Sequence, residues 1–243
     1  MSSFDKGTLK RCLRPIIENV VAAEIEHTDE KLTKNTLDCF GALIDSATQK
    51  ITIKEWKRQE KARQIQKTKQ NLIGKMHETI IGTIHGVELL NQGICDLKCE
   101  RLKIVAEIKN KWNTTKGNHK NQIYRDLKKV IEKNYGFTGY YVEILPKHGK
   151  SYNEPFTPSD NRLSIREEKR SDIRRIDGRS FYALLTGNKT ALDELYQMLP
   201  NVISELLNEI DNTTYNKLEV QENLKEYNEY LNLYNIAYNT NLK

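Results

Sequence analysis

Three charged residues in the middle of the chain, Asp96, Glu107 and Lys109, have types and spacing that could do chemistry. Side chains two apart in a strand share a face, so Glu107 and Lys109 point the same way if this segment is a strand. A turn near Arg101 would set Asp96 beside residues 105–107 of that strand, with cross-strand partners about 5 Å apart. The pattern therefore predicts two carboxylates and one ammonium converging on a β-hairpin.

That grouping has the chemistry needed for phosphodiester hydrolysis. Two carboxylates, helped by the backbone carbonyl of Ile108, are hard oxygen ligands of the kind that Mg²⁺ prefers, and the ion would bind a phosphate oxygen. Lys109 could orient or deprotonate the attacking water and offset charge on phosphorus. Glu78, on the polar face of the preceding helix, could add another acidic group. The alternative is a chance spacing, in which the Asp and the Glu-x-Lys form ordinary surface salt bridges.

The elements before this site are predicted to be helical. Apolar residues at helical spacing indicate two helices between residues 4 and 47, with a break at residues 28–29. Residues 53–72 are almost entirely polar and basic, which indicates a solvated helix or a DNA-flanking arm. A half-buried helix follows over residues 71–90, and Gly93 is predicted to end it.

Beyond Gly93 the apolar pattern changes to that of strands, and helices alternate with strands from there on. This order predicts an α/β fold with helices flanking a central mixed β-sheet and with helical N-terminal and C-terminal extensions. The hairpin strands are predicted at 94–99 and 102–109. The later segments are a turn-rich loop at 111–121, an amphipathic helix at 122–134, a strand at 139–145, a long loop at 146–179, an apolar run at 180–185, a helix at 189–210 and a Tyr-rich helix in the tail.

Composition places fewer limits on function than the motif does. The 243-residue chain carries a net charge of +6 and is 30% charged, which suits a polyanionic partner but is also common in proteins that have none. No apolar run approaches the roughly 18 residues of a membrane span, and the N-terminus lacks a signal-peptide core. The four cysteines are scattered without metal-ligand spacing. We therefore expect a cytoplasmic protein with reduced thiols, no zinc site and no membrane partner.

The segment CDLKCERLKIVAEIKNKWNTTKG resembles the active-site segment of the PD-(D/E)-x-K nuclease superfamily, in which an Asp on one strand precedes Glu-x-Lys on the next. The string EIKNKWNT is similar to the type II restriction endonucleases that cut GGNCC sites. Further matches are IGKMHE, YYVEILPK, IDGRSFYALLTG and ALDELYQMLP, so the resemblance covers about residues 71–204. Cys95 stands where the superfamily nominally has proline.

The resemblance implies a restriction-endonuclease-like fold and Mg²⁺-dependent, site-specific hydrolysis of double-stranded DNA that leaves 5′-phosphate and 3′-hydroxyl ends. It implies Asp96 and Glu107 as metal ligands and Lys109 as the catalytic lysine, with Glu78 as a weaker match. One alternative is a repair or junction-resolving nuclease of the same superfamily. Another is a non-catalytic helical DNA-binding protein in which Glu107 and Lys109 merely pair.

Candidate DNA contacts lie in two stretches. Polar and cationic residues directly after the site could hold phosphates, or they could form an ordinary turn. The segment 146–179 is the densest cationic stretch, and the arginine fork matches guanine O6 and N7, although interspersed acids also suit a solvated, ion-paired helix. Asp177 could accept from cytosine N4 or cap a turn. The candidates are Asn110, Lys111, Asn113, Thr114, Lys147, Arg162, Arg166, Arg174 and Arg179.

The expected organisation has three parts: a helical region at 1–70 for DNA flanking or dimerisation, a nuclease core at 71–210 that includes the recognition loop 146–179, and a C-terminal helix at 211–243. A near-palindromic DNA site is most simply cut by a two-fold symmetric homodimer. The N-terminal helices and the Tyr-rich helix are the expected dimer surfaces. A cognate DNA methyltransferase is the expected functional partner, without stable contact.

Overall fold

A computed structural model describes residues 3–25, 29–90, 94–160, 165–210 and 227–242. The helices are α1 (Lys6–Ile25), α2 (Asp29–Lys34), α3 (Cys39–Gln49), α4 (Ile53–Ile81), α5 (Gly117–Lys133), α6 (Gly178–Thr186), α7 (Ala191–Ile210) and α8 (Tyr227–Tyr238). The strands are β1 (Val87–Leu89), β2 (Leu97–Cys99), β3 (Ile104–Lys111), β4 (Thr138–Leu145), β5 (Asn153–Pro155), β6 (Ser159–Asp160), β7 (Ile165–Arg166) and β8 (Ile173–Asp177). Within these ranges, no helix is long and apolar enough to cross a membrane.

Six strands form one mixed sheet in the order β1-β2-β3-β4-β8-β5. The central strands β3, β4 and β8 run parallel, whereas the strands at both edges pair antiparallel. Strand β4 is buried along nearly its whole length, which explains why its sequence is apolar almost without interruption. The sheet with its flanking helices confirms the predicted α/β, restriction-endonuclease-like fold class.

The hairpin of β2 and β3 has the predicted register. Leu97 pairs with Ala106, and the amide of Asp96 donates to the Ala106 carbonyl over 2.9 Å. A single 3-10 turn at Glu100–Leu102 joins the strands and is closed by Lys103 in the left-handed region at φ 55°. This short connection fixes the pairing, so Asp96 lies next to the end of β3 that carries the acidic and basic residues.

Helix α5 packs on the sheet face to which Glu107 and Lys109 belong. The core on this side contains Val105 of β3 and Tyr141 of β4, both buried, together with α5 residues. The other buried members are Cys95, Ile123, Tyr124, Leu127, Ile131, Phe137, Phe156 and Ile173. The face of β3 that carries the odd-numbered residues is thus apolar at the start of the strand, where α5 covers it. The same face is charged toward the end of the strand, where it is partly open to solvent.

Helix α4 ends earlier than predicted. Its last residue is Ile81, and residues 87–89, predicted to be helical, form the edge strand β1 paired with β2. Gly82 and Gly86 explain the difference: Gly86 has φ +81°, and a Cβ on Gly82 would come within 2.7 Å of the Leu89 side chain. The predicted helix end at Gly93 lies outside the described residues.

The segment 146–179 contains more regular structure than a long loop. Strand β8 lies within it and pairs with both β4 and β5, burying Ile173 and Ile176. The apolar run at 180–185 belongs to helix α6. Ile173 and Ile176 of β8 are three residues apart, with Arg174 and Arg175 between them. The sequence therefore lacks the alternation of apolar and polar residues that marks a strand.

The chain divides into two compact units, one formed by Met1–Leu13 with Met76–Lys243 and the other by Arg14–Lys75. In the second unit, Trp56 is buried and its indole N–H donates to Asp45 Oδ2 over 3.1 Å. Arg63 stacks over the Trp56 ring and pairs with the same carboxylate. Trp56 therefore has a packing role within this helical unit.

His77 on α4 is expected to make stability pH-dependent. Its Nδ1 lies 3.1 Å from the Tyr182 hydroxyl, and burial lowers the pKa of His77 to about 4. The folded pKa lies below the unfolded value of about 6.5, so the neutral ring stabilises the fold above pH 6.5. This stabilisation, at most about 3 kcal/mol, is lost as the pH falls from 6.5 to 4.

Urea denaturation between pH 7.5 and pH 4.5 tests this expectation. The His77→Phe substitution is made in a Tyr182→Phe background, so that no Tyr182 hydroxyl is left without a partner. Between pH 7.5 and pH 4.5, the free energy of unfolding should then fall by about 1–2 kcal/mol less than it does with His77 present. The Tyr182→Phe single variant, which keeps His77, is the reference for this comparison. If the free energy of unfolding depends on pH in the same way with and without His77, protonation of His77 does not affect folding.

Candidate active site

The structure brings Asp96, Glu107 and Lys109 together at the end of the β2–β3 hairpin. Lys109 Nζ lies 2.6 Å from Glu107 Oε1 and 4.0 Å from Asp96 Oδ2. Asp96 is held in place because its Oδ2 accepts from the Ile108 amide over 2.6 Å. The exposed fractions of the three side chains are 25%, 16% and 26%. They form a half-buried cluster that solvent and a ligand can reach.

The electrostatics of the cluster favour a cation. Burial raises the pKa of Glu107, the neighbouring Asp96 charge raises it further, and the Lys109 ammonium opposes both effects. Glu78 also raises the Glu107 pKa, so it lies near the cluster. Two close carboxylates in a half-buried site repel each other, and a divalent ion between them would offset that repulsion.

The oxygen ligands that the cluster offers suit a Mg²⁺ ion that would take most of its other ligands from water and substrate. Within the described residues, no group of three or more His, Cys, Asp or Glu side chains is arranged to hold a metal ion. The cluster itself offers two side-chain carboxylates, those of Asp96 and Glu107. Mg²⁺ commonly binds through one or two carboxylates and keeps several waters, so the residues present fit the ion.

Cys95 packs beneath the cluster as an apolar residue. It is buried among Val105 and the α5 side chains. Burial, together with the Glu107 and Asp96 charges, raises the pKa of the Cys95 thiol to about 12, so the thiol stays protonated. At this position, where the superfamily nominally has proline, the residue supports the chain before Asp96 without adding charge.

The four polar residues predicted to follow the site lie at the carboxyl end of β3. Asn110 and Lys111 are its last residues, and Asn113 and Thr114 lie in the turn beyond. The amide and hydroxyl of Thr114 both donate to the Lys111 carbonyl, over 3.2 and 2.8 Å. The Thr114 hydroxyl therefore already stabilises the turn.

The basic candidates of segment 146–179 have different surroundings. Lys147 is exposed and lies over the Trp112 ring, and Arg166 is exposed with one bond to the Thr157 carbonyl. Arg174 donates to Asn153, and Arg179 pairs over 2.8 Å with Asp193. Arg162 lies outside the described residues. The structure thus leaves Lys147 and Arg166 most open to a ligand.

Asp177 serves as a helix cap. It is buried, its Oδ1 accepts from the Ser180 amide over 3.1 Å at the start of α6, and its Oδ2 accepts from the Tyr152 amide over 2.8 Å. Of the two roles considered from the sequence, the structure supports capping, because both carboxylate oxygens are used within the fold.

Sequence reasoning missed Glu143 and Lys120. Glu143 is 2% exposed on β4 and its Cα pairs with that of Lys109. It is neutralised by Lys120 of α5, whose Nζ lies 3.0 Å from Glu143 Oε1, while the Tyr152 hydroxyl donates to the other oxygen. A lone Glu inside the apolar strand GYYVEIL was the available signal, since a carboxylate in a buried strand needs a partner.

The mixed sheet and the half-buried carboxylate pair with its lysine define the restriction-endonuclease-like class of proteins. The model of the Eco47II restriction endonuclease family matches residues 1–208. The chain is 38% identical over 186 residues to the type II restriction enzyme Eco47II of Escherichia coli, covering 74% of this chain and 77% of that enzyme. It is 28% identical over 180 residues to the type II restriction enzyme Sau96I of Staphylococcus aureus, covering 72% and 69%.

The chain therefore belongs to the Eco47II restriction endonuclease family. Its class of activity is that of a type II site-specific deoxyribonuclease. This confirms the resemblance seen around the hairpin. The family match also includes the first 70 residues, which the sequence motifs did not cover.

Proposed function

We propose that this protein cuts double-stranded DNA at a GGNCC-type site with Mg²⁺, using Asp96, Glu107 and Lys109. The observation that carries the proposal is their convergence, with Lys109 Nζ 2.6 Å from Glu107 and 4.0 Å from Asp96. The two relatives named above support site-specific cleavage, and the similarity of EIKNKWNT to the GGNCC-cutting enzymes supports the type of site.

In this mechanism Asp96, Glu107 and the Ile108 carbonyl would hold the ion. When bound, Mg²⁺ supplies Lewis-acid stabilisation of the phosphate and a more acidic water. The Ile108 amide keeps Asp96 oriented, and Glu107 faces Lys109. Lys109 orients the attacking water and balances the negative charge that develops on the phosphate oxygens. Glu78 contributes negative potential from α4.

DNA would contact the surface around this cluster. Residues at the end of β3 would hold the phosphates beside the scissile bond, because short polar groups and a cation follow the site directly. Arginines and lysines of segment 146–179 would bind phosphates or guanine edges. The proposed contacts are Asn110, Lys111, Asn113, Thr114, Lys147, Arg162, Arg166, Arg174 and Arg179.

The assembly would be a homodimer, since two active sites related by a two-fold axis can cut both strands of a near-palindromic site. Region 1–70 would serve dimerisation or DNA flanking, and the Tyr-rich C-terminal region that includes α8 would serve dimerisation. The enzyme would act in the cytoplasm. A cognate methyltransferase would protect host DNA without binding the endonuclease.

Digestion of a plasmid of known sequence, followed by run-off sequencing of the ends, tests the proposal. Discrete fragments that end at GGNCC-type sites are expected with Mg²⁺ and none with EDTA. An unspecific smear, or cutting only at branched DNA, would support a repair or junction-resolving nuclease instead. DNA retention without strand scission would support the non-catalytic DNA-binding protein.

A further inference from the structure

We propose that Lys120 is a second cationic residue of this active site and binds a DNA backbone phosphate next to the scissile one. The inference deepens the proposed function and depends on it for the identity of the ligand. Lys120 lies on α5, outside the sequence motif that contains Asp96, Glu107 and Lys109.

The sheet register places Lys120 beside the catalytic cluster. Lys109 on β3 and Glu143 on β4 are direct Cα partners in a parallel pair, so their side chains share the face that α5 covers. Adjacent strands are about 4.8 Å apart. Lys120 Nζ lies 3.0 Å from Glu143 Oε1, so its ammonium contacts the residue that is paired with Lys109 on the next strand.

The Lys120 ammonium is held from several sides. It donates to the Trp112 carbonyl over 3.2 Å and lies 5.3 Å from the centre of the Tyr141 ring. Its main partner, Glu143, is fixed by the Tyr152 hydroxyl. The Lys120 side chain is 23% exposed, whereas that of Glu143 is 2% exposed. Lys120 thus connects a buried carboxylate to the surface in a preset orientation.

On its open side Lys120 lines a basic groove with a volume of about 490 Å³. Within the part of the chain that the structure describes, the cations Arg166, Lys169 and Arg175 line the same groove. The acidic residue Glu154 also lines the groove and pairs with Arg175 over 2.5 Å. A groove with this excess of positive charge suits the phosphates of a nucleic acid strand. Lys120 both lines the groove and pairs with Glu143, the β4 partner of Lys109.

Lys120 could instead serve only as the counterion of Glu143. In that case its removal would lower stability, because a buried carboxylate would lose its charged partner, but the salt dependence of DNA binding would not change. A phosphate contact predicts a change in that dependence, since each neutralised phosphate releases counterions. The two roles therefore differ in a measurable quantity.

The test measures binding of the full-length protein to a duplex with one cleavage site, by fluorescence anisotropy without divalent ions, from 50 to 200 mM NaCl. Lys120→Met should raise Kd roughly 10-fold at 100 mM salt and reduce the slope of log Kd against log salt by about 0.9. Lys120→Arg keeps the charge and should bind nearly as the wild type does. Lys133→Met, an equal charge loss at the exposed far end of α5, should change Kd less than 2-fold.

The double variant Lys120→Met with Glu143→Gln removes both charges and guards against loss of fold in the single variant. It should bind DNA as weakly as Lys120→Met, with the same reduced slope. Wild-type slope and Kd in either folded variant would overturn the proposal and leave Lys120 a counterion. If the wild-type protein fails to cut DNA at discrete sites, the proposed function fails, and that result is separate from the Lys120 comparison.

Discussion

Lys109→Ala should reduce site-specific DNA cleavage by roughly 10³-fold or more while DNA binding at the same site persists. The Lys109 ammonium forms an ion pair with Glu107 and lies 4.0 Å from Asp96 Oδ2. Removing the ammonium leaves the Asp96 and Glu107 carboxylates without their lysine partner, and the charge that develops on the phosphate loses one stabilising cation. The substitution should spare binding, because contacts along the DNA come from many other residues.

Asp96→Ala should have an equally large effect for a different reason. It removes a proposed metal ligand and also the oxygen that accepts from the Ile108 amide, so both the charge and the local geometry of the site are lost. Single-turnover cleavage and anisotropy with a single-site duplex measure the two properties separately. Lys103→Ala, at an exposed turn position of the same hairpin, is the matched control and should cut at the wild-type rate. Unaltered cleavage by Lys109→Ala or Asp96→Ala would refute the catalytic assignment.

Gly178→Ala should cause the largest loss of stability among glycine substitutions in the core. A Cβ at this position would lie 2.5 Å from the Ile144 carbonyl oxygen and 2.9 Å from the Ile144 Cα. Both are backbone atoms of strand β4, so no flexible side chain can move aside. We expect the free energy of unfolding to fall by about 3 kcal/mol, since relief requires α6 to shift from the sheet.

Gly74→Ala is the control for this prediction. Gly74 lies inside helix α4, and an added Cβ there meets nothing within 4 Å. Alanine should leave stability unchanged or raise it by up to about 1 kcal/mol, because it has the higher helix propensity. Urea denaturation of both variants measures the difference. A urea midpoint for Gly178→Ala equal to that of the wild type would show that α6 and β4 have room for a methyl group at this contact.

Local sequence predicted the centre of the site because its geometry depends on neighbours in the chain. A two-strand hairpin with a short turn has one register that keeps Leu97, Ile104 and Ala106 buried, and that register sets Asp96 opposite the end of β3. The spacing of Glu107 and Lys109 then places both on one face. The amphipathic pattern of α5 was equally local, although the helix begins at Gly117, before the predicted residue 122.

The contacts that the sequence could not predict join distant segments. Strand β8 carries two adjacent arginines, and its place between β4 and β5 depends on pairing with both. Lys120 meets Glu143 because α5 crosses the parallel pair β3–β4 at that point. Arg179, a candidate DNA contact by composition, pairs with Asp193 on α7. The pattern of charges in the sequence does not show whether a basic side chain pairs with an acidic residue of the protein or with DNA.

The sequence by itself determined the convergence of Asp96, Glu107 and Lys109, the common strand face of the last two, the α/β order of elements and the family to which the motifs point. These follow from turn length and from the two-residue period of a strand, which act over a few residues. Only the tertiary structure decided where α4 ends, that Asp177 caps α6 and that Lys120 pairs with Glu143, the β4 partner of Lys109. Those outcomes depend on which buried polar groups find partners when separate segments pack, a condition set by the whole fold.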